Sequence, residues 1–158
     1  MENFTKTTFG LLIAYLLPGL ATLFALSYDI QPLQDLFSAA IHANSTAAAW
    51  LGLILVALFV GLIQNTFTWA IIQECLCRQI GKASQIGDTA LDENFRYSQF
   101  YGNMIVTMAV AMIVYCSNPL WHTIVEPWRV WITFTCLTVL FMLISCEAYR
   151  RYVVRSNK

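Results

Sequence analysis

Uncharged amides and hydroxyls set among apolar neighbours carry the most chemical potential in this chain. Ala57, Gly61, Gln64, Asn65 and Thr68 fall at helical spacing on one small and polar stripe, and Arg96, Gln99, Asn103 and Thr107 fall on a second. Thr8, Tyr15 and Thr22 recur every seven residues in a third segment, with Pro18 and Gly19 between them. Amides and hydroxyls surrounded by hydrocarbon must find hydrogen-bond partners. Counted from the midpoint of each apolar run, Tyr15, Gln64, Asn65 and Asn103 share a depth about 4 to 8 Å from the centre, so this spacing predicts a polar layer. Two kinds of chemistry suit it. Interhelical bonds would tie one bundle together, each worth about 0.6 to 2 kcal/mol; alternatively, some of these groups would line a water-filled path between copies of the chain. Gly61 and Ala57 serve either, because small residues let helices approach closely. Pro18-Gly19 reads as a kink common in membrane helices, with a gating hinge as the sharper alternative.

Other reactive residue types give weaker signals. Glu74 has Arg78 at i+4, and Glu147 has Arg150 and Arg151 at i+3 and i+4, which reads as interfacial ion pairing. No carboxylate lies deep within an apolar run, as a proton or ion relay would require. The five cysteines are odd in number and too sparse for a disulfide scaffold. Cys75 and Cys77 would point about 200 degrees apart on a helix, which suits neither one shared metal ion nor an easy disulfide. His42 and His122 are far apart and do not form a metal site, and the sequence holds no nucleophile elbow, phosphate-binding glycine loop or zinc-protease helix. No cofactor or metal is expected, and the chain reads as non-enzymatic.

The frame carrying these residues follows from composition. The chain has 158 residues, 58% of them hydrophobic and 11% charged, with a mean hydropathy of +0.61. Ordinary soluble domains carry about 25% charged residues, so this composition points to a bilayer as the main solvent. Formal net charge is zero, which leaves no global attraction to nucleic acid. Crossing a hydrocarbon slab takes roughly 20 helical residues. Four runs qualify, near Thr8 to Tyr28, Ala47 to Ile72, Tyr97 to Tyr115 and Trp128 to Ala148. The first resembles a signal-peptide core in composition, but it is long for one and is expected to be a retained span. The absence of period-2 alternation favours helices over a barrel. The expected fold is an all-α integral membrane protein, a single four-span domain over residues 1–158.

Of the nine basic residues, Lys6, Arg78, Lys82, Arg96, Arg150, Arg151, Arg155 and Lys158 fall on one side of these spans and only Arg129 on the other. Basic residues accumulate in short cytoplasmic segments, so both termini are expected in the cytoplasm. Trp50, Trp121, Trp128 and Trp131 lie near the outer boundary and Trp69 near the inner one, where amphipathic rings prefer to sit. Between spans one and two, Leu33, Leu36, Phe37, Ala40 and Ile41 predict a short amphipathic helix on the outer surface, with Pro32 in its first turn. Ser45 or Thr46 can cap span two. Span two is expected to continue to Gly81, and a helix capped by Asp88 or Thr89 to run unbroken into span three.

The functional expectation is a homo-oligomer in the bacterial inner membrane that makes or gates an ion-conducting pore, with a membrane-permeabilising defence effector as an extension. Its candidate residues are Tyr15, Gly61, Gln64, Asn65, Thr68, Asn103 and Thr107. The alternative is an anchor or regulatory subunit that holds a cytoplasmic protein, or anionic lipid, through Arg78, Lys82, Arg96, Arg150, Arg151 and Arg155. The lipid bilayer is the common partner of both readings, and no nucleic acid is expected.

Overall fold

The computed structural model describes residues 10, 12–41, 46–71, 89–118 and 126–156. Among the described residues all regular structure is helical. Five helices follow in order: α1 over Leu12–Leu26, α2 over Gln31–Ile41, α3 over Ala47–Ile71, α4 over Thr89–Ser117 and α5 over Pro127–Ser156.

Their boundaries have local causes. Thr46 is extended and its Oγ1 accepts from the Ala49 amide at 3.3 Å, a side-chain cap for α3. Pro32 falls in the first turn of α2, where its missing amide hydrogen costs nothing. Ser27 Oγ donates to the Phe24 carbonyl at 2.7 Å as α1 ends, and the chain then bends by 118° into α2. In that turn Asp29 accepts from Asn118 Nδ2 at 3.2 Å, tying it to the end of α4. The first turn of α1, Leu12–Leu16, is wound as a π-helix just ahead of Pro18, the widening that a proline imposes on the turn before it.

Among the described residues three helices, α3, α4 and α5, are long and apolar enough to cross a membrane. The described part of α1 is about 22 Å long and passes that test only together with the sharply bent α2. Of the expected connection between spans two and three, the part from Thr89 onward is helical and continuous with α4; residues 72–88, which hold Glu74, Cys75, Cys77, Arg78, Lys82 and Asp88, lie outside the described residues. Helix α5 runs two turns beyond the expected end of its span.

Helix α1 packs against both α3 and α4, while α5 packs chiefly on α4. The apolar core forms where α1, α2 and α3 meet: Leu23, Leu53, Ala57 and Ala40 are buried, with Leu16, Leu20, Leu36 and Phe37 packed around them. Helix α2 thus lays its Leu33, Leu36, Phe37 and Ala40 side on the bundle, and Gln31, Gln34 and Asp35 remain exposed. Elsewhere the large apolar side chains point outward, among them Leu51, Leu55, Phe59, Ile113, Ile132 and Leu143. Only 6% of the most apolar stretch of α5 is buried. Such an inverted distribution suits hydrocarbon and not water.

Candidate functional site

The polar stripes meet inside the bundle as a ladder of three rungs between α1, α3 and α4. On the first, Tyr15 OH donates to Gln99 Oε1 at 3.1 Å. The second centres on Asn103, which is fully buried: its Oδ1 accepts from Thr68 Oγ1 at 2.7 Å and its Nδ2 donates to the Ala14 carbonyl at 2.9 Å. On the third, Thr22 Oγ1 donates to Thr107 Oγ1 at 3.0 Å, and Gln64 Nε2 donates both to Thr107 Oγ1 at 3.2 Å and to Thr22 Oγ1. The one hydroxyl hydrogen of Thr107 is shared between the carbonyls of Pro18, 3.2 Å away, and Asn103, 3.1 Å away.

Successive residues at i+4 on α4, namely Gln99, Asn103 and Thr107, supply one group to each rung. They share one face because four residues make just over one turn. Asn103 fits its position for a further reason. Pro18 lacks the amide hydrogen that a regular helix would direct at the Ala14 carbonyl, and the side-chain amide of Asn103 occupies that place.

Two glycines bring α1 and α3 into backbone contact at the same level. A methyl group at Gly19 would collide with the Ala57 carbonyl, and one at Gly61 with the Tyr15 carbonyl. Their approach sets the register, which differs by one turn from the midpoint reckoning: Gln64 lies level with Thr107 and Thr22, and Thr68, not Gln64 or Asn65, meets Asn103. Asn65 is half-buried and stands outside the rungs.

The interior of this ladder is closed to the outside. Gln64 is 4% exposed and Thr107 3%. Gln64 Oε1 is buried without a hydrogen-bond partner. Every other amide and hydroxyl of the second and third rungs is engaged within the one chain, so these groups act chemically as hydrogen-bonding fasteners.

A second polar feature lies where α4 and α5 meet, at the end that carries Arg96, Arg150 and Arg151. Ser145 Oγ donates to the Ser98 carbonyl at 2.9 Å, and both serines are buried. Tyr101 packs on Phe141 at 6.0 Å and Phe95 on Tyr152 at 5.1 Å between ring centroids. A cleft of about 500 Å³ opens beside this seam, lined by Tyr97, Tyr101, Leu143, Ile144, Glu147 and Arg151 among others. Arg151 Nε donates to Glu147 Oε1 at 3.0 Å across one helical turn. The Arg96 side chain lies against Gly10, which precedes α1, and Arg150 is exposed. Arg78, Lys82 and the side chain of Arg155 lie outside the described residues.

Neither the serine seam nor the cleft follows from the polar stripes. Their signal in the sequence is a pair of small residues four apart, Ser98 and Gly102, both buried, a spacing that lets a neighbouring helix approach. At the opposite end, Arg129 pairs with Glu126 at 2.8 Å and sits over the Trp128 ring at 5.3 Å, an arrangement exposed at the surface. Among the described residues no three His, Cys, Asp or Glu side chains gather as a metal site would need. No protein-family model matches the sequence, and no match is found among curated proteins or solved structures.

Proposed function

We propose that this chain is a non-enzymatic integral membrane subunit with four spans that anchors a cytoplasmic protein. The observation that carries the reading is the length of α4 and α5. At 29 and 30 residues they measure about 43 to 45 Å, against about 30 Å of hydrocarbon. Their Trp128 end fits one boundary, so roughly nine residues of each project beyond the other as a rigid continuation of the spans. Phe95 and Tyr152 join the projecting turns, Arg150 and Arg151 are exposed on them, and the sequence adds Arg155 to the same basic run. The eight-to-one split of basic residues favours the cytoplasm for this end, and α2 then lies on the outer surface. A bacterial inner membrane suits this arrangement.

The expected pore reading keeps one supporting observation, the nearly uncovered α5, which leaves room for a second copy. Its path would have to run between copies without Gln64, Thr68, Asn103 or Thr107, since these are turned inward.

The two readings separate experimentally. Purified chain reconstituted in lipid vesicles should add no ion flux at either voltage polarity. In cells, proximity labelling from the C terminus should enrich a cytoplasmic protein, and Arg150→Glu with Arg155→Glu should abolish that enrichment. Flux from the purified chain would favour the pore; a labelling profile indifferent to charge reversal would defeat the anchor.

A further inference from the structure

We propose that the cleft between α4 and α5 is a binding site for one phosphatidylethanolamine molecule, with its ammonium on Glu147 and its phosphate on Arg151. The site is independent of whether the chain anchors a partner.

Depth is the first argument. Counting about 20 residues of span from Trp128 along α5 reaches Ala148, and from Ser117 along α4 reaches Tyr97. Both residues line the cleft, so it straddles the level of the lipid headgroups.

Its lining changes character in the same direction. Leu143 and Ile144 stand on the hydrocarbon side, and Glu147 and Arg151 follow one and two turns further toward water, flanked by Tyr97 and Tyr101. A lipid has the same sequence of parts, acyl chain then headgroup. The volume of about 500 Å³ falls in the range of small-molecule sites.

Charge selects the headgroup. Glu147 and Arg151 make a neutral pair, and both side chains keep about half or more of their surface exposed, 49% and 64%. Their mutual bond uses one carboxylate oxygen and Nε, which leaves the second oxygen and the terminal guanidinium hydrogens to a ligand. The guanidinium fork matches a phosphate. A primary ammonium offers three hydrogens to the carboxylate, a choline offers none, and a headgroup with only negative charge would be repelled by Glu147.

The test is native mass spectrometry of the full chain in detergent, with dioleoyl phosphatidylethanolamine, phosphatidylcholine or phosphatidylglycerol added at equal concentration. One ethanolamine lipid should bind, in preference to the other two by roughly tenfold, the effect expected of one charge-assisted hydrogen bond. Glu147→Gln should bring ethanolamine binding down to the choline level, Arg151→Gln should weaken all three lipids, and Arg129→Gln, at the opposite end of α5, should change nothing. Helicity and melting of each variant are compared with wild type, and Glu147→Asp supplies a folded variant that retains the carboxylate and part of the preference. Equal or tighter binding of phosphatidylglycerol by wild type, or a preference untouched in both Glu147→Gln and Arg151→Gln, overturns the proposal.

Discussion

Asn103 donates to the carbonyl of Ala14 across 2.9 Å, the carbonyl whose helical donor is missing because residue 18 is proline. A defect in one helix is thus repaired from another, and the repair holds α4 against α1.

This pairing predicts a coupling. Asn103→Leu removes the donor and strands the Ala14 carbonyl and the Thr68 hydroxyl, so it should destabilise the bundle by about 2 to 3 kcal/mol. Pro18→Ala restores the missing backbone donor, and in that background the same substitution should cost at least about 1 kcal/mol less. Unfolding of all four variants in graded denaturing detergent measures the cycle. Equal penalties in both backgrounds would show that the two residues act separately.

The glycine contacts make a second prediction. Gly19→Ala and Gly61→Ala place a methyl group against backbone atoms that have no rotamer to change, and each should cost about 1 to 3 kcal/mol through forced separation of α1 and α3. Gly52, whose added methyl would meet nothing within 4 Å, is the control. Gly52→Ala should melt at or slightly above the wild-type temperature.

Gln64 should behave unlike Asn103. Its Oε1 is buried without a partner, so Gln64→Leu removes an uncompensated oxygen along with the bonds to Thr22 and Thr107. These effects oppose each other, and stability should stay within about 1 kcal/mol of wild type. A loss above about 3 kcal/mol in the same detergent assay would require the oxygen to be satisfied, for example by an internal water.

Topology gives the fourth prediction. Alkaline phosphatase fused after Ser156 should be inactive, and the same enzyme inserted after Asn44 active, because this enzyme works only outside the cytoplasm and basic residues concentrate beside Arg150 and Arg151. Activity at Ser156 would invert the arrangement.

Much of the frame was readable because bilayer physics constrains it strongly. Long apolar runs at α3, α4 and α5, the cap at Thr46 and the first-turn Pro32 all follow from short-range rules. The stripes through Gln64 and Thr68, and through Gln99, Asn103 and Thr107, were visible as i+4 spacing. Register was not, since aligning span midpoints ignores where backbones touch, and the contacts of Gly19 and Gly61 set α3 one turn away from that alignment. The α4 and α5 seam is not legible for a different reason: Ser98 and Ser145 are small and mildly polar, and nothing in either segment alone tells which neighbour they face.

The placement of α5 bears on how the chain is made. Every contact of the ladder, from Tyr15 with Gln99 to Thr22 with Thr107, lies upstream of Ser117. Ribosomes deliver segments from the N terminus onward, so α1, α3 and α4 hold all their mutual partners before Pro127 has been translated. The last helix then arrives as a latecomer to a finished trio, meeting chiefly α4 through Ser145, Phe141 and Tyr152. Packing of α5 is therefore the step at which a nascent chain completes both the seam with α4 and the cleft beside it.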